Sequence, residues 1–292
     1  MKRRNILAGG MALVVPLFSA NSQAKQTEPR KTDGLSKKTV AYGENPAQKL
    51  DVYLPNNDCY AWIIMVHGKH WRKSDKVTTR TIDKKISHWT TRGIGVASID
   101  YRMLPEASVE VQLADVRSAI SFLQRKGSTL GLFGPMVIMG HASGGHLVAL
   151  AAAQIQTTIK KDIAPWAGTI IFDSDALDVP SIMAKSREPS YKNALGMDEK
   201  RWTALSPMHQ LQPGVGPTMI VYSSTRSDDV ELQAQMYAQR LAGFGVRNVQ
   251  TLGIKLDSTQ INEQLGLDNE YTRAVDMFLS SLHSTFERSL KR

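Results

Sequence analysis

The residues best suited to do chemistry lie in one short string, Gly140-His141-Ala142-Ser143-Gly144-Gly145-His146, between an apolar run and a helical pattern. Glycines at a strand-to-helix turn let the backbone bend sharply and approach its neighbours, which is how a nucleophile is held out at the end of a strand. Ser143 supplies the string's only hydroxyl, and a serine attacks a carbonyl at neutral pH only with a general base within hydrogen-bond reach. Ser143 is also off centre: midway between Gly140 and Gly144 stands Ala142, whose methyl cannot attack anything. If Ala142 holds the turn, Ser143 opens the helix about 100° further round its axis, where its hydroxyl can cap it. If the turn is re-registered by one residue, Ser143 is a shifted nucleophile. Four histidines, His67, His70, His141 and His146, fall in or near such motifs, yet His141 and His146 are five apart across a turn and the chain has no His-x-x-x-His pair. That spacing points to no metal site, and no cofactor is expected.

These residues need a scaffold, and the hydrophobic pattern supplies one. Apolar, β-rich runs at 39–42, 50–54, 62–66, 95–100, 136–139, 169–172, 218–222 and 249–254 alternate with helical patterns, clearest at 109–124, 147–155, 230–241 and 270–286. Ile63-Ile64-Met65-Val66 and Met136-Val137-Ile138-Met139 are continuously apolar, as in strands covered on both faces. The pattern predicts an α/β fold: a mostly parallel eight-stranded sheet with helices on both faces. Residues 178–212, with Pro180, Pro189 and Pro207, read as a small cap-like insertion. The N-terminus reads as an export signal: Lys2, Arg3 and Arg4, an apolar run too short to span a membrane, then Ser22-Gln23-Ala24 as a cleavage site. The expected organisation is a signal at 1–24, a flexible polar lead-in at 25–38 and one domain at 39–292, in a periplasmic or secreted protein without a stable membrane anchor. Arg3-Arg4 leaves Sec and twin-arginine export both open.

The chain of 292 residues carries 36 Lys and Arg against 27 Asp and Glu, for a net charge of +9, and the signal accounts for three of those charges. The remaining basic residues are scattered pairs or tail, with no concentrated stripe, so no nucleic-acid partner is expected. A single cysteine, Cys59, excludes a disulfide framework and a thiolate zinc cage.

The strand-turn-helix string resembles the α/β-hydrolase superfamily, in particular its bacterial esterase/lipase branch of kynurenine-formamidase-like and feruloyl-esterase-like proteins. Val52-Tyr53-Leu54-Pro55, His67-Gly68-Lys69-His70-Trp71, Asp100-Tyr101-Arg102, Leu205-Ser206-Pro207 and Ile261-Asn262 support the resemblance in order and spacing. It implies a Ser-His-Asp triad and an oxyanion loop, and this chain departs from both. Relatives read Gly-His-Ser-Ala-Gly-Gly; here Ser and Ala are exchanged, leaving Ala142 in the nucleophile slot. The base segment, Leu-Ser-His-x-x-Ile-Asn in relatives, becomes Leu256-Asp257-Ser258-Thr259-Gln260-Ile261-Asn262, leaving Ser258 in the histidine slot. Beyond His209 the only histidine is His283, inside the helical pattern at 270–286. Asp228 is the candidate acid, with a helix-capping role as its alternative. The oxyanion and ligand pocket would be formed by Gly68, Lys69, His70 and the N–H of Ser143, with Lys69 favouring an acidic ligand. The expectation is an exported carboxylesterase-type fold, catalytically impaired, retaining a pocket for a small ester-like or acidic ligand. The alternative is an active periplasmic ester or amide hydrolase using Ser143.

Overall fold

A computed structural model of the chain describes residues 36–68, 70–72, 80–159, 163–185, 189–226 and 228–291. The expected signal at 1–24, most of the lead-in and Lys69 lie outside the described residues. In chain order the strands are β1 (Ser36–Ala41), β2 (Lys49–Leu54), β3 (Ala61–Val66), β4 (Ile94–Ile99), β5 (Met136–His141), β6 (Gly168–Phe172), β7 (Thr218–Ser223) and β8 (Val249–Ile254). The helices are α1 (Arg80–Thr90), α2 (Val109–Leu130), α3 (Ser143–Ala153), α4 (Ile155–Ile159), α5 (Val179–Lys185), α6 (Pro189–Leu195), α7 (Glu199–Ala204), α8 (Asp228–Gly243), α9 (Ser258–Gln264), α10 (Glu270–Leu282) and α11 (Ser284–Leu290).

The strands form one sheet in the order β1-β2-β4-β3-β5-β6-β7-β8. β1 and β2 pair antiparallel, as do β2 and β4, and every later pairing is parallel. Every residue of β6 and β7 is buried, because each face carries its own apolar layer. One layer joins α2, α3 and α8 to side chains such as Ile64, Ile138, Ile171 and Ile220. The other joins α1, α9, α10 and α11 to Ile63, Val137, Ile170 and Val221. Parallel strands place all their C-terminal ends on one edge of the sheet, and ligand sites of open α/β sheets form there, where the strand order reverses. In this chain the reversal falls at β3, between β4 and β5, next to the turn at Ala142.

Two local expectations are corrected. β1 begins at Ser36, so the last residues of the expected lead-in are strand, paired across to Leu54, Tyr53 and Val52 of β2. The helix expected over 270–286 is two helices. His283 adopts an extended backbone (φ −162°, ψ 139°) between them, and its Nδ1 accepts a hydrogen bond from the Thr285 N–H. Residues 178–212, expected as a small cap-like insertion, hold the three short helices α5, α6 and α7.

Candidate functional site

The turn is centred on Ala142. Its backbone has φ 49° and ψ −119°, a left-handed strain that a non-glycine residue keeps only when its surroundings impose it. The imposition is visible: the Ala142 N–H donates to the Phe172 carbonyl at 2.8 Å, and its own carbonyl accepts the His146 N–H at 2.9 Å. Glycine is required on both sides of the crossing. A Cβ on Gly140 would stand 2.3 Å from the Gly144 carbonyl oxygen, and one on Gly68 would stand 2.0 Å from that of His141.

Ser143 is therefore the first residue of α3, and it is buried, with 4% of its surface exposed. The expected capping bond is absent, because Ala142 occupies the N-cap position and has no side chain to cap with. The Ser143 hydroxyl is hydrogen-bonded to the Tyr101 phenol instead. Tyr101 donates its own proton to the His67 carbonyl at 2.7 Å, and its ring stacks on His67 with centroids 4.7 Å apart. Burial and the nearby Asp100 raise the phenol above its ordinary range, while the Ser143 bond opposes them, so Tyr101 remains a neutral donor. The hydroxyl expected to be either cap or nucleophile is thus part of the brace holding the start of the loop after β3.

Ser258 opens α9, and the structure brings it directly to the turn. Nε2 of His141 lies 2.9 Å from the Ser258 carbonyl oxygen and 3.3 Å from its Oγ. A carbonyl can only accept, so Nε2 carries the proton and the lone pair is on Nδ1, which is buried without a hydrogen-bond partner among the described residues. Burial holds the His141 imidazole neutral, lowering its pKa to about 4. With Nε2–H directed at the carbonyl, the ring cannot deprotonate the Ser258 hydroxyl from this geometry, so the pair is a tether between β5 and α9. The segment that would carry a base is a helix start: Asp257 accepts the Gln260 N–H, and the Gln260 side chain accepts the Asp257 N–H.

In the loop expected to form the oxyanion pocket, His70 is exposed with φ 50°, and Trp71 is 2% exposed with φ 57°. The Trp71 indole donates to Nδ1 of the fully buried His146 at 3.2 Å, and Nε2 of His146 donates to the Leu205 carbonyl at 2.7 Å. Burial lowers the His146 pKa to about 4, so this imidazole is neutral with its proton on Nε2. The Trp71 carbonyl accepts from the Gln112 amide and the Leu104 N–H, both at 2.9 Å.

Asp228 is the first residue of α8, and its side chain is outside what the structure describes; its neighbour Asp229 pairs with Lys185 of α5 at 2.7 Å. Sequence reading missed two further acids that lie at this edge, Asp173 and Asp175. Asp173, just past β6, has φ 47° and a completely buried side chain. Its Oδ1 accepts the Ser223 N–H at 2.9 Å, and its Oδ2 accepts Nη1 of Arg226 at 3.0 Å. Asp175 accepts both Nη2 of Arg226 and the Tyr191 hydroxyl at 2.5 Å. The signal was available in Phe172-Asp173-Ser174-Asp175, an acidic pair at the end of a buried strand, the same rule that selected Asp228 after β7.

The sequence profile of the BD-FAE family matches residues 50–230. The chain belongs to the BD-FAE family. A kynurenine formamidase of Danio rerio is 26% identical over 241 residues, 80% of this chain and 77% of that protein. One of Salmo salar is 30% identical over 114 residues, but those span only 38% of this chain and 36% of the salmon protein. Among solved structures, Thermogutta terrifontis esterase 2 phosphonylated by sarin superposes with a TM-score of 0.67 at 19% identity, covering 87% of this chain and 97% of that one. The BD-FAE chain thus has the α/β-hydrolase fold and is an esterase-like hydrolase by family. Its strand order places the Ala142 turn after β5 and Ser258 after β8, on the same edge.

Proposed function

We propose that this chain is an exported BD-FAE-family protein that binds carbonyl-bearing ligands at an esterase-like edge without hydrolysing them. One observation carries the reading. Among the described residues, the four non-glycine residues with positive φ are His70, Trp71, Ala142 and Asp173, and all of them lie along this edge. Such strain costs of order 1–3 kcal/mol per residue and is typical of sites that hold a ligand. The costly backbone persists while the groups that would do acyl transfer are missing: alanine stands at the turn, and Ser258 meets an imidazole whose proton is already directed at its carbonyl. What remains is the backbone part of an oxyanion site, the first turn of α3 facing Gly68, whose N–H groups suit a carbonyl oxygen.

The reading is tested on purified protein with short p-nitrophenyl esters and a fluorophosphonate probe. The expected outcome is no ester hydrolysis above a heat-denatured control and no labelling of Ser143, with binding of small amides measured by calorimetry. Ester turnover that disappears in Ser143→Ala would overturn it in favour of a shifted nucleophile. Export is supported by the basic, apolar and small-residue order of the first 24 residues. Fractionation should recover a mature chain beginning at Lys25; a cytoplasmic chain with its N-terminal segment intact would count against it.

A further inference from the structure

We propose that Arg226 is the second anchor of this site and that it selects uncharged carbonyl ligands, esters or amides, over the corresponding carboxylates. The proposal rests on the reading of the Ala142 edge as a carbonyl site and adds the ligand class. Arg226 lies in the loop after β7, three residues past the end of that strand, and 31% of its side chain is exposed. It is tied to the turn by a short path: the Ala142 N–H bonds the Phe172 carbonyl, and the next residue, Asp173, holds the guanidinium. Asp175 holds its other end, and Tyr191 of α6 closes on Asp175 from the cap. The fork is therefore fixed before any ligand arrives, which lowers the entropic cost of using it.

A guanidinium has five N–H donors, and this one uses two, one on Nη1 and one on Nη2. The others have no partner among the described residues and belong to a side chain that is partly exposed. The charge on the cluster decides what they accept. Asp173 and Asp175 outweigh Arg226, leaving the three groups at −1. A neutral carbonyl oxygen gains a charge-assisted hydrogen bond there and brings no charge of its own. A carboxylate gains the same bond but adds a third negative group beside the two that are already present. The arginine thus contributes directional donors without making the edge an anion site.

Calorimetric titration of benzamide and benzoate at neutral pH tests this on the wild-type chain and two variants. Wild type should bind benzamide about tenfold or more tightly than benzoate, because both gain the Arg226 bond and only benzoate adds like charge beside two carboxylates. In Arg226→Lys, benzamide affinity should fall about tenfold, because an ammonium that stays on the two carboxylates has no planar fork left to offer. In Asp175→Asn the cluster becomes neutral, so benzoate should gain on benzamide. Circular dichroism establishes that both variants are folded, and Asp175→Asn retains an acceptor for Tyr191. Benzoate binding as tightly as benzamide to wild type, or an unchanged ratio in both folded variants, overturns the role of Arg226 while leaving the carbonyl site standing. If wild type binds neither compound, the carbonyl site itself fails and the role of Arg226 with it.

Discussion

Moving one hydroxyl by one position changes what it can touch. At the centre of the turn a serine would project from the strained residue toward the sheet edge; at position 143 it lies inside the first turn of α3, against Tyr101. On the proposed reading, ester turnover requires both of the groups that Ala142 and Ser258 replace. Ala142→Ser with Ser258→His is expected to hydrolyse p-nitrophenyl acetate and to be labelled at position 142. Ala142→Ser alone should be slower by at least about a hundredfold, the usual contribution of a general base. The tether from His141 goes chiefly to the backbone carbonyl of residue 258, so the second substitution leaves it intact. A folded double variant with no more activity than the single one would mean that residue 258 is not the base position. Ser143→Ala should leave ester turnover at background and cost about 1 kcal/mol in a denaturant titration, the net value of one hydrogen bond.

At the scale of elements, the loop that carries Trp71 is held by a helix it does not belong to. His146 of α3 receives the Trp71 indole on one nitrogen and gives the other to Leu205, at the end of α7, so a single imidazole fixes loop, helix and cap segment together. His146→Leu leaves a buried N–H and a buried carbonyl unpaired, and is expected to destabilise the chain by about 2–4 kcal/mol and weaken benzamide binding. Trp71→Phe frees only one nitrogen and should cost about half as much; equal losses from the two would deny His146 its bridging role. The same element explains the limits of sequence reading. The buried strands were legible because both of their faces are apolar, and the turn was legible from its glycines. The split at His283 was not, because residues 270–290 keep a helical period on both sides of the break and only the backbone of one residue differs. The tether from His141 to Ser258 joins residues 117 apart, and Arg226 meets Asp173 across two strands. Contacts of that kind depend on sheet order, which periodicity does not encode.

For the molecule as a whole, the buried titratable groups set the pH range over which it is stable. His141 and His146 are held near 4 when folded, against 6.5 in the unfolded chain, in each case mainly by burial. Between pH 6.5 and about 4 the unfolded chain takes up protons that the folded chain refuses, so stability falls as the pH falls, by an amount on the order of 3 kcal/mol for the fully enclosed His146. Lys85 acts in the same direction in a different range. It is 2% exposed, donates to the side chain and backbone of Asn262, and is lowered by burial to about 7 against 10.5 when unfolded. From about pH 7 to 10.5 the unfolded chain holds a proton that the folded chain has released, so stability rises with pH. Tyr101, Tyr237 and Tyr271 reverse the trend, because burial raises them above 10 and the unfolded phenols ionise first. Urea titrations from pH 4 to 11 should thus give a midpoint that climbs through the acid range, climbs again above neutrality and falls beyond about pH 10. Lys85→Met should flatten the alkaline rise and leave the acid limb unchanged, whereas His146→Leu should reduce the acid limb alone. An alkaline rise that persists in folded Lys85→Met would mean that another group carries that proton.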